Sequence, residues 1–259
     1  MILYHGEPNG ASLTVLAALE ESGLAIACQP IDLLAGARHR IAGLTDRVAL
    51  DMGVEGEGPV LVIDGEAMTE SVFIAQFFDE LAGGAGLQPN DPYTHWQMMM
   101  WCRRVTERAS PAAAFLGSCA YSHGTLAARS DADFGALAAT IASTDLKQRW
   151  QDLRDGHFPT EQVTDSQAKV IAFAQTAEDQ LADGRDWLIG HFTIADLVSF
   201  SWLAGMRDLV PELTQEKPRI QAWFARMEAR PSIQRALARA TTAKPLRSWA
   251  PGPEINRWG

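Results

Sequence analysis

In the first part of the chain, segments with strand-like hydrophobic patterns alternate with segments in which the hydrophobic residues have helical spacing. Short apolar runs predict strands at 2–5, 25–33 and 60–63, and the turn after the third of them predicts a returning strand at 66–68. Apolar residues spaced by three or four positions predict helices between and after them, at 11–22, more weakly at 36–50, and from Thr69 onward. The pattern therefore predicts the element order β-α-β-α-β-β-α, with Asp64 and Gly65 forming the turn of the last hairpin.

The rest of the chain has only helical patterns. Residues 83–92 are rich in Gly, Pro, Asn and Asp, a composition typical of linkers. Thr193 and Asp196 have capping-box spacing, in which the hydroxyl covers a free helix amide and the carboxylate reaches back. The tail from Thr241 is expected to be an extended wrap or loose. Helices are predicted at about 93–120, 131–156, 165–182, 193–208, 216–229 and 231–240.

These patterns predict two domains. We place an α/β domain at residues 1–82, a linker at 83–92 and an all-helical domain at 93–259. The β-α-β-α-β-β-α order of the first is that of a thioredoxin-like domain.

Composition excludes several classes of function. The formal net charge of the 259 residues is −10, which argues against binding to nucleic acid or to an anionic membrane surface. No apolar run is long enough to span a membrane, and the N-terminus lacks the features of a signal peptide. The three cysteines form no C-x-x-C pair and the six histidines lack metal-ligand spacing. We therefore expect a cytoplasmic protein with reduced thiols and no metal.

The segment from Gly58 to Ser71 carries the groups that suit a peptide ligand. Pro59 precedes a buried strand and cannot donate to the sheet, so a bend with a cis bond is predicted there. Such a bend leaves the N–H and C=O of Gly58 free to pair with an extended peptide. Ser71 lies in the first turn of a helix, where its hydroxyl and free amides suit a carboxylate, and Glu70 suits an amine. An extended peptide with an α-amino-acid head describes glutathione, although the triplet from Thr69 to Ser71 by itself also fits a plain helix cap.

These motifs resemble the glutathione transferase superfamily over roughly residues 1–240. The resemblance implies a thioredoxin-like N-terminal domain, an all-helical C-terminal domain and glutathione as the co-substrate. More narrowly, the chain resembles bacterial glutathione-dependent β-etherases, which cleave β-aryl ethers in lignin fragments. The segments that carry this narrower resemblance are Ser12-Leu13 with Leu16-Ala17, Trp101, Leu146 to Trp150, Arg154 to Pro159, Glu216 to Trp223, and Ala229 to Pro231.

The resemblance implies a role for each candidate site residue. The cysteinyl backbone of glutathione would lie at Gly58 and Pro59, and its γ-glutamyl end at Glu70 and Ser71. Ser12 matches the serine of the β-etherase pattern and is the candidate donor to the thiolate, the reactive form of the thiol, although its position by itself fits an ordinary helix-start residue equally well. The asparagine that precedes this serine in the family is Ala11 here, and Asn9 is a possible substitute.

Two further features bear on catalysis. The stretch before Pro59 carries Asp51, Glu55 and Glu57, which would repel an anionic ligand modestly. Tyr4 falls inside the first strand, which favours packing over catalysis. No cysteine occupies positions 8–12, which argues against the thiol-disulfide branch of the superfamily.

The second substrate is expected between the domains, against the first long helix. Aromatic and methionine residues at helical spacing are more often core than pocket, and that alternative stays open here. The candidates are Trp96, Met100, Arg104, Phe115, Tyr121 and Trp150, with His157 nearby.

Three functional hypotheses follow. The leading one is a subunit of a glutathione-dependent β-etherase, in which the glutathione thiolate displaces a phenolate from a lignin-type β-aryl ether ketone. The second is a partner subunit with little activity of its own, paired with a paralogous transferase; Ala11 and the acidic stretch at 51–57 motivate it. The third is a transferase for another small electrophile. The superfamily is usually dimeric, so a homodimer or heterodimer is expected.

Overall fold

A four-stranded sheet forms the centre of the N-terminal half. The computed structural model describes residues 1–45 and 55–252. Across the sheet the strands run in the order β2-β1-β3-β4, with β1 parallel to β2 and antiparallel to β3. The strands are β1 (Ile2–His5), β2 (Ala27–Pro30), β3 (Val60–Ile63) and β4 (Glu66–Met68).

The predicted hairpin turn between β3 and β4 is confirmed. Asp64 has φ 51° and Gly65 has φ 88°, the two positive values that a tight two-residue hairpin turn requires. Ile63 pairs with Glu66 and Leu61 with Met68 across the ladder. This hairpin brings the chain back toward the helix that carries Ser71.

Two helices pack on one face of this sheet. They are α1 (Gly10–Ser22), which ends at Gly23 in the left-handed conformation, and α2 (Ser71–Leu81). The weaker helix expected at 36–50 is wrong for its described part, because the chain forms 3-10 turns at Leu33–Ala35 and Ala37–Arg40 instead. Gly36, with φ 70°, separates these turns and interrupts any longer helix. Residues 46–50 of that prediction lie outside the described residues.

The second half is helical, as predicted, but two long helices are broken. The expected helix at 93–120 contains a π-helical turn at Val105–Ala109, just before Pro111. Proline cannot donate to the carbonyl four residues earlier, so the ladder widens there. The expected helix at 131–156 is interrupted between residues 138 and 144. The helices are α3 (Pro92–Arg104), α4 (Ser110–Tyr121), α5 (His123–Ala127), α6 (Asp131–Ala138), α7 (Thr144–Asp155), α8 (Thr160–Gln180), α9 (Ile194–Leu203), α10 (Pro218–Ala229) and α11 (Pro231–Leu237).

The predicted capping box at the start of α9 is confirmed. The Thr193 hydroxyl accepts from Ala195 N at 3.2 Å, and an Asp196 oxygen accepts from Thr193 N at 3.1 Å. Asp196 also accepts from Leu188 N at 3.0 Å and from Trp223 Nε1 at 2.9 Å. Burial raises the pKa of Asp196 to about 6, although these hydrogen bonds act in the opposite direction. One carboxylate thus joins α9, α10 and the loop before them.

One continuous hydrophobic cluster joins the two halves. It includes Leu13 and Leu16 of α1, Phe78 of α2, and Phe200 and Trp202 of α9. Because α1 packs against both α2 and α9, its first turn is held at the cleft between the halves.

A second, smaller cluster lies beneath α5, α6 and α7. Trp150 is fully buried within it, and the partly buried Leu34 of the N-terminal half packs against it. The Arg129 guanidinium also donates to the Leu34 carbonyl at 3.0 Å. The segment from 123 to 155 is therefore packed against the loop that follows β2.

Three further observations concern residues 1–45 and 55–252. The cysteines at 28, 102 and 119 are free thiols. No group of three or more His, Cys, Asp or Glu side chains in these ranges could hold a metal ion. None of the helices there is both long enough and apolar enough to cross a bilayer.

Candidate functional site

The N-terminus of α1 presents Ser12 to the cleft. The Ser12 hydroxyl oxygen accepts a hydrogen bond from Gly6 N at 3.0 Å. In residues 1–45 and 55–252, no acceptor is found for the hydroxyl proton. A hydroxyl that accepts one hydrogen bond is polarised toward donating another. Ser12 can therefore donate to an anion that binds beside it in the cleft.

The start of α1 adds a second favourable feature for an anion. Its N-cap, Asn9, makes no side-chain bond to the helix amides, and its first turn has no acidic residue. The first amides of a helix have no partner within the helix, and they carry the positive end of its dipole. Ala11, where the resemblance expects an asparagine, is buried at this cleft and contributes no side-chain donor.

The cleft that Ser12 lines is a cavity of about 490 Å³. Among the described residues, its wall includes four acidic side chains, from Glu7, Asp32, Glu55 and Glu57, and one basic side chain, Arg247. This balance opposes an anionic ligand, so binding of glutathione depends on local donors rather than on the overall field.

The N-terminus of α2 is arranged differently, because a carboxyl group of the chain already lies on it. Ser71 N donates to Glu55 Oε2 at 2.8 Å, and the Ser71 hydroxyl makes a short hydrogen bond with Glu55 Oε1. Ser71 is completely buried and Glu55 is 5% exposed. The expectation that these donors suit a carboxylate is thus realised by Glu55. Glu70, the residue before Ser71, has φ 68° and accepts from Glu55 N at 3.4 Å.

The environment of Glu55 disfavours its charge. Burial, followed by the neighbouring Glu70 carboxylate, raises the pKa of Glu55 to about 8. The hydrogen bonds from Ser71 and the Arg38 guanidinium act in the opposite direction. The Glu55 carboxyl is therefore held by good donors in a site that is costly for its ionised form.

The Gly58–Pro59 bend departs from its prediction. All described peptide bonds are trans, so the expected cis bond at Pro59 is wrong. The Gly58 carbonyl is also not free, because the buried Arg38 side chain donates to it from Nε at 3.1 Å. The Glu55 side chain packs within 3.3 Å of the position that a Cβ on Gly58 would take. The bend is thus held by contacts that the motif alone does not predict.

Glu57 is fixed by a buried network between the two halves. Its Oε1 lies 2.6 Å from His39 Nε2 and accepts from Trp150 Nε1 at 3.0 Å. Trp150 belongs to α7, so the small helical cluster reaches the edge of the cavity through this carboxylate.

The C-terminal tail crosses the cavity as an extended segment. Its carbonyls at Ser248 and Ala250 accept from Asn9 Nδ2 and from the Ser118 hydroxyl, both at 3.1 Å. The Pro251 carbonyl accepts from Glu57 N, also at 3.1 Å. The Trp249 carbonyl accepts from the Ser122 hydroxyl, and its ring packs near Trp202, with 6.1 Å between ring centroids. The tail is therefore an extended wrap, one of the two outcomes expected, as far as residue 252.

Comparison with known proteins agrees with this architecture. Residues 143–231 match the family model of the glutathione S-transferase C-terminal domain. The crystal structure of the β-etherase LigF from Sphingobium sp. strain SYK-6 superimposes with a TM-score of 0.80 and 24% identity, covering 92% of this chain and 99% of that one. The chain has the glutathione transferase fold. This confirms the predicted fold class, α/β followed by all-α.

The same relative is found by sequence. Protein LigF of Sphingobium sp. is 26% identical over 241 residues, which are 90% of this chain and 91% of LigF. The predicted resemblance to glutathione transferases and to β-etherases is therefore confirmed. A Burkholderia graminis glutathione transferase superimposes with a TM-score of 0.61 and 19% identity, over 93% of this chain and 89% of that one. That crystal structure holds two glutathione molecules per subunit, so glutathione as co-substrate is consistent with this glutathione transferase fold.

The structure separates the candidates for the second-substrate pocket. Of the six, Tyr121 lines the 490 Å³ cavity. Trp96 and Met100 are largely exposed on α3, and Arg104 lines a separate surface groove. These three side chains do not line the 490 Å³ cavity, and Met100 lines a neighbouring cavity with Glu55 and Glu70. The buried face of α3 carries Met98, Trp101 and Cys102 instead.

The remaining two candidates have packing roles. Phe115 lines a small recess of about 90 Å³ with His157 and makes an edge contact with Phe158. Trp150 is fully buried and reaches the site only through Glu57. These five residues therefore lie apart from Tyr121 in the structure, since helical spacing alone did not distinguish the faces of α3, α4 and α7. Their contact with a second substrate stays a prediction.

Several residues around the cavity were not anticipated in these roles. Glu55 and Glu57 stood out in the sequence as acidic residues before Pro59, but their contacts with Ser71 and Trp150 were not predicted. Arg38 was not among the candidate site residues. The tail residues carried no signal, because carbonyl contacts such as that of Pro251 leave no trace in residue type.

Proposed function

We propose that this protein is a glutathione-dependent transferase of the β-etherase type. The observation that carries the proposal is the Ser12 hydroxyl, which lines the cavity at the N-terminus of α1 and accepts a hydrogen bond from Gly6 N, so that its own proton can be donated to a ligand. A thiolate bound at this position would receive the hydroxyl hydrogen bond and the field of the helix. The similarity to LigF supports the choice of an aryl ether as the second substrate.

The reaction is a nucleophilic displacement. The glutathione thiolate attacks the carbon that bears the aryloxy group, next to a ketone. A carbon–sulfur bond forms as the carbon–oxygen bond breaks, and the electron pair leaves with the phenolate. The chain contributes positioning of the two reactants and stabilisation of the thiolate by Ser12. Asn9 is the less suitable donor, because one of its two amide protons is already bonded to the Ser248 carbonyl, which fixes the side chain toward the tail.

The remaining site assignments are part of the proposal. Glutathione would extend from Ser12 toward the Gly58–Pro59 bend, with its γ-glutamyl end at Ser71 and Glu70. Tyr121 would contact the aromatic ring of the ether from the wall of the cavity. We further propose a cytoplasmic protein with domains at residues 1–82 and 93–259.

A second candidate function has an observation of its own. Ser71 is occupied by Glu55, and Ala11 provides no donor beside Ser12. Both features fit a partner subunit with little activity that pairs with a paralogous transferase. Exposed apolar side chains on α2 and α3, among them Phe73, Tyr93 and Trp96, offer a surface for a homodimer or a heterodimer.

The deciding experiment measures phenol release from a racemic β-aryl ether ketone by the purified chain with glutathione. The proposal expects release by the chain alone. Release only when a paralogous transferase is co-expressed would favour the partner subunit. Conjugation of a general electrophile without ether cleavage would indicate a transferase for a different substrate.

A further inference from the structure

The donors at the N-terminus of α2 are those that a ligand carboxylate would need. Helix α2 has 11 residues, and its N-cap, Glu70, makes no side-chain bond to the helix amides. The amide and hydroxyl of Ser71 both bond to Glu55. Two carboxyl groups cannot use the same two donors at once. Glu55 and the γ-glutamyl end of glutathione therefore require the same position.

We propose that Glu55 is an internal competitor of glutathione, which holds Ser71 until the γ-glutamyl carboxylate of the ligand displaces it. This inference rests on the proposed function, because it assumes that glutathione is the ligand of the cavity. On this proposal, the Glu55 carboxyl group occupies the donors of Ser71 whenever glutathione is not bound.

The surroundings of Glu55 make displacement feasible. Glu55 lines both the 490 Å³ cavity and a neighbouring cavity of about 370 Å³ beside Glu70 and Met100. The side chain therefore has space on two sides into which it can move. Burial and Glu70 disfavour its ionised form, so a move toward solvent recovers hydration. The γ-glutamyl group of glutathione also carries an ammonium group, which can pair with the Glu70 carboxylate. The Glu55 carboxyl group offers no positive charge to Glu70 in either of its protonation states.

The residues next to Glu55 connect it with the C-terminal tail. A Cβ on Gly56 would lie 2.8 Å from both the Pro251 oxygen and the Gly252 carbonyl carbon, so the two backbones are in close contact. Glu57 N donates to the Pro251 carbonyl. These contacts hold the backbone at residues 55–57 in place. We therefore expect only the side chain of Glu55 to move when glutathione binds.

The test compares two ligands across matched variants of the full chain. Isothermal titration calorimetry measures the affinity of glutathione and of cysteinylglycine for the wild type and for Glu55→Ala. Cysteinylglycine lacks the γ-glutamyl group and so does not compete for Ser71. Glu80→Gln is the charge control, because Glu80 is exposed at the far end of the same helix.

The expected result is a gain of about tenfold in glutathione affinity for Glu55→Ala. In this variant Ser71 can bond to the charged γ-glutamyl carboxylate without first losing its bonds to Glu55, and hydrogen bonds to a charged group contribute on that scale. Cysteinylglycine affinity should be unchanged, and Glu80→Gln should behave as the wild type. A gain for both ligands would overturn the proposal, since Glu55 would then act through general repulsion. Wild type that binds glutathione as tightly as Glu55→Ala would overturn it too, while leaving the proposed function standing. Failure of every variant to bind glutathione would overturn the proposed function itself.

Repeating the measurement in a Ser71→Ala variant tests whether the effect of Glu55 depends on Ser71. In Ser71→Ala the competition for the hydroxyl is absent, so the gain from Glu55→Ala should shrink. An undiminished gain would contradict the proposal. Should Glu55→Ala lose its near-ultraviolet circular dichroism signal, Glu55→Gln replaces it and is expected to show a smaller gain, because its amide oxygen still accepts from Ser71.

Discussion

The two buried serines at the starts of α1 and α2 make the most informative comparison in this molecule. Ser12 and Ser71 both lie in the first turn of a helix that packs against the same sheet. The Ser12 hydroxyl lines a cavity and has no acceptor for its proton among the described residues, whereas the Ser71 hydroxyl and amide are both bonded to Glu55. Similar local chemistry has therefore produced one open donor and one occupied donor.

The difference comes from a loop segment that belongs to neither helix. Residues 55–58 deliver a carboxyl group to Ser71, and no carboxyl group from the described part of the chain bonds to Ser12, which lines the 490 Å³ cavity. A helix N-terminus is suited to an anion, but the tertiary structure decides whether that anion is a ligand or part of the chain. On this account α1 is the reactive end of the site, where Ser12 donates to the thiolate. At α2, Glu55 must first leave Ser71 before glutathione can bind there.

The largest expected effect comes from removing the open donor. Ser12→Ala should lower kcat/KM for ether cleavage by about 10²-fold, the usual cost of losing one donor to a developing or bound anion. Ser22→Ala is the matched control, since Ser22 lies at the other end of α1 and bonds to Leu19 O at 2.8 Å. Steady-state phenol release measures both variants. Equal activities for Ser12→Ala and the wild type would remove Ser12 from the mechanism.

Most of the fold could be predicted from the sequence, for a physical reason. The β3–β4 hairpin depends on Asp64 and Gly65, and the α9 cap on Thr193 and Asp196, so local residue types determine both. The helix expected at 36–50 was wrong in its described part, because Gly36 and short 3-10 turns replace it. Local patterns predicted local structure and failed where the pattern was weak.

The site was less predictable, because its decisive contacts join residues far apart in sequence. Ser12 and Ser71 could be selected from helix starts and from the family resemblance. The bond between Glu55 and Ser71 spans 16 positions, and that between Trp150 and Glu57 spans 93. Such contacts follow from packing, which residue type and spacing do not specify.

A smaller effect is expected from loosening the tail that holds the 55–58 segment. A Cβ on Gly117 would overlap the Trp249 ring, so Gly117→Ala should destabilise the protein by about 1–3 kcal/mol through overpacking. The control is Gly135→Ala, on an exposed part of α6 with no neighbouring atoms within 4 Å of the new Cβ. That change should be neutral or slightly stabilising. Urea unfolding measures both, and equal stabilities would show that the tail packs elsewhere.

The smallest effect concerns the occupied end and its dependence on pH. The pKa of Glu55 is raised to about 8 from the ordinary 4.5, so the folded state binds more protons than the unfolded state between these values. The stabilisation is therefore complete below pH 4.5 and is lost as pH rises toward 8, with a slope of at most about 1.4 kcal/mol per pH unit. The slope is best measured from pH 7 to 8, because the pKa of Asp196 is about 6 and that of His5 is lowered from 6.5.

Glu55→Gln should flatten this slope, because it cannot titrate, and Glu80→Gln should not. The measurement is the free energy of unfolding in urea at several pH values. A wild-type stability that is level or rises with pH in this window would show that the Glu55 carboxyl is ionised on Ser71.

The most direct test of the central claim is the pKa of the glutathione thiol when it is bound to this protein. The ultraviolet absorbance of the thiolate, followed against pH, measures it in the wild type and in Ser12→Ala. A donor at the start of α1 predicts a thiol pKa clearly below the free value of about 8.5 in the wild type, and a return toward that value in the variant. An unshifted pKa in the wild type, with glutathione bound, would contradict the assignment of α1 as the reactive end.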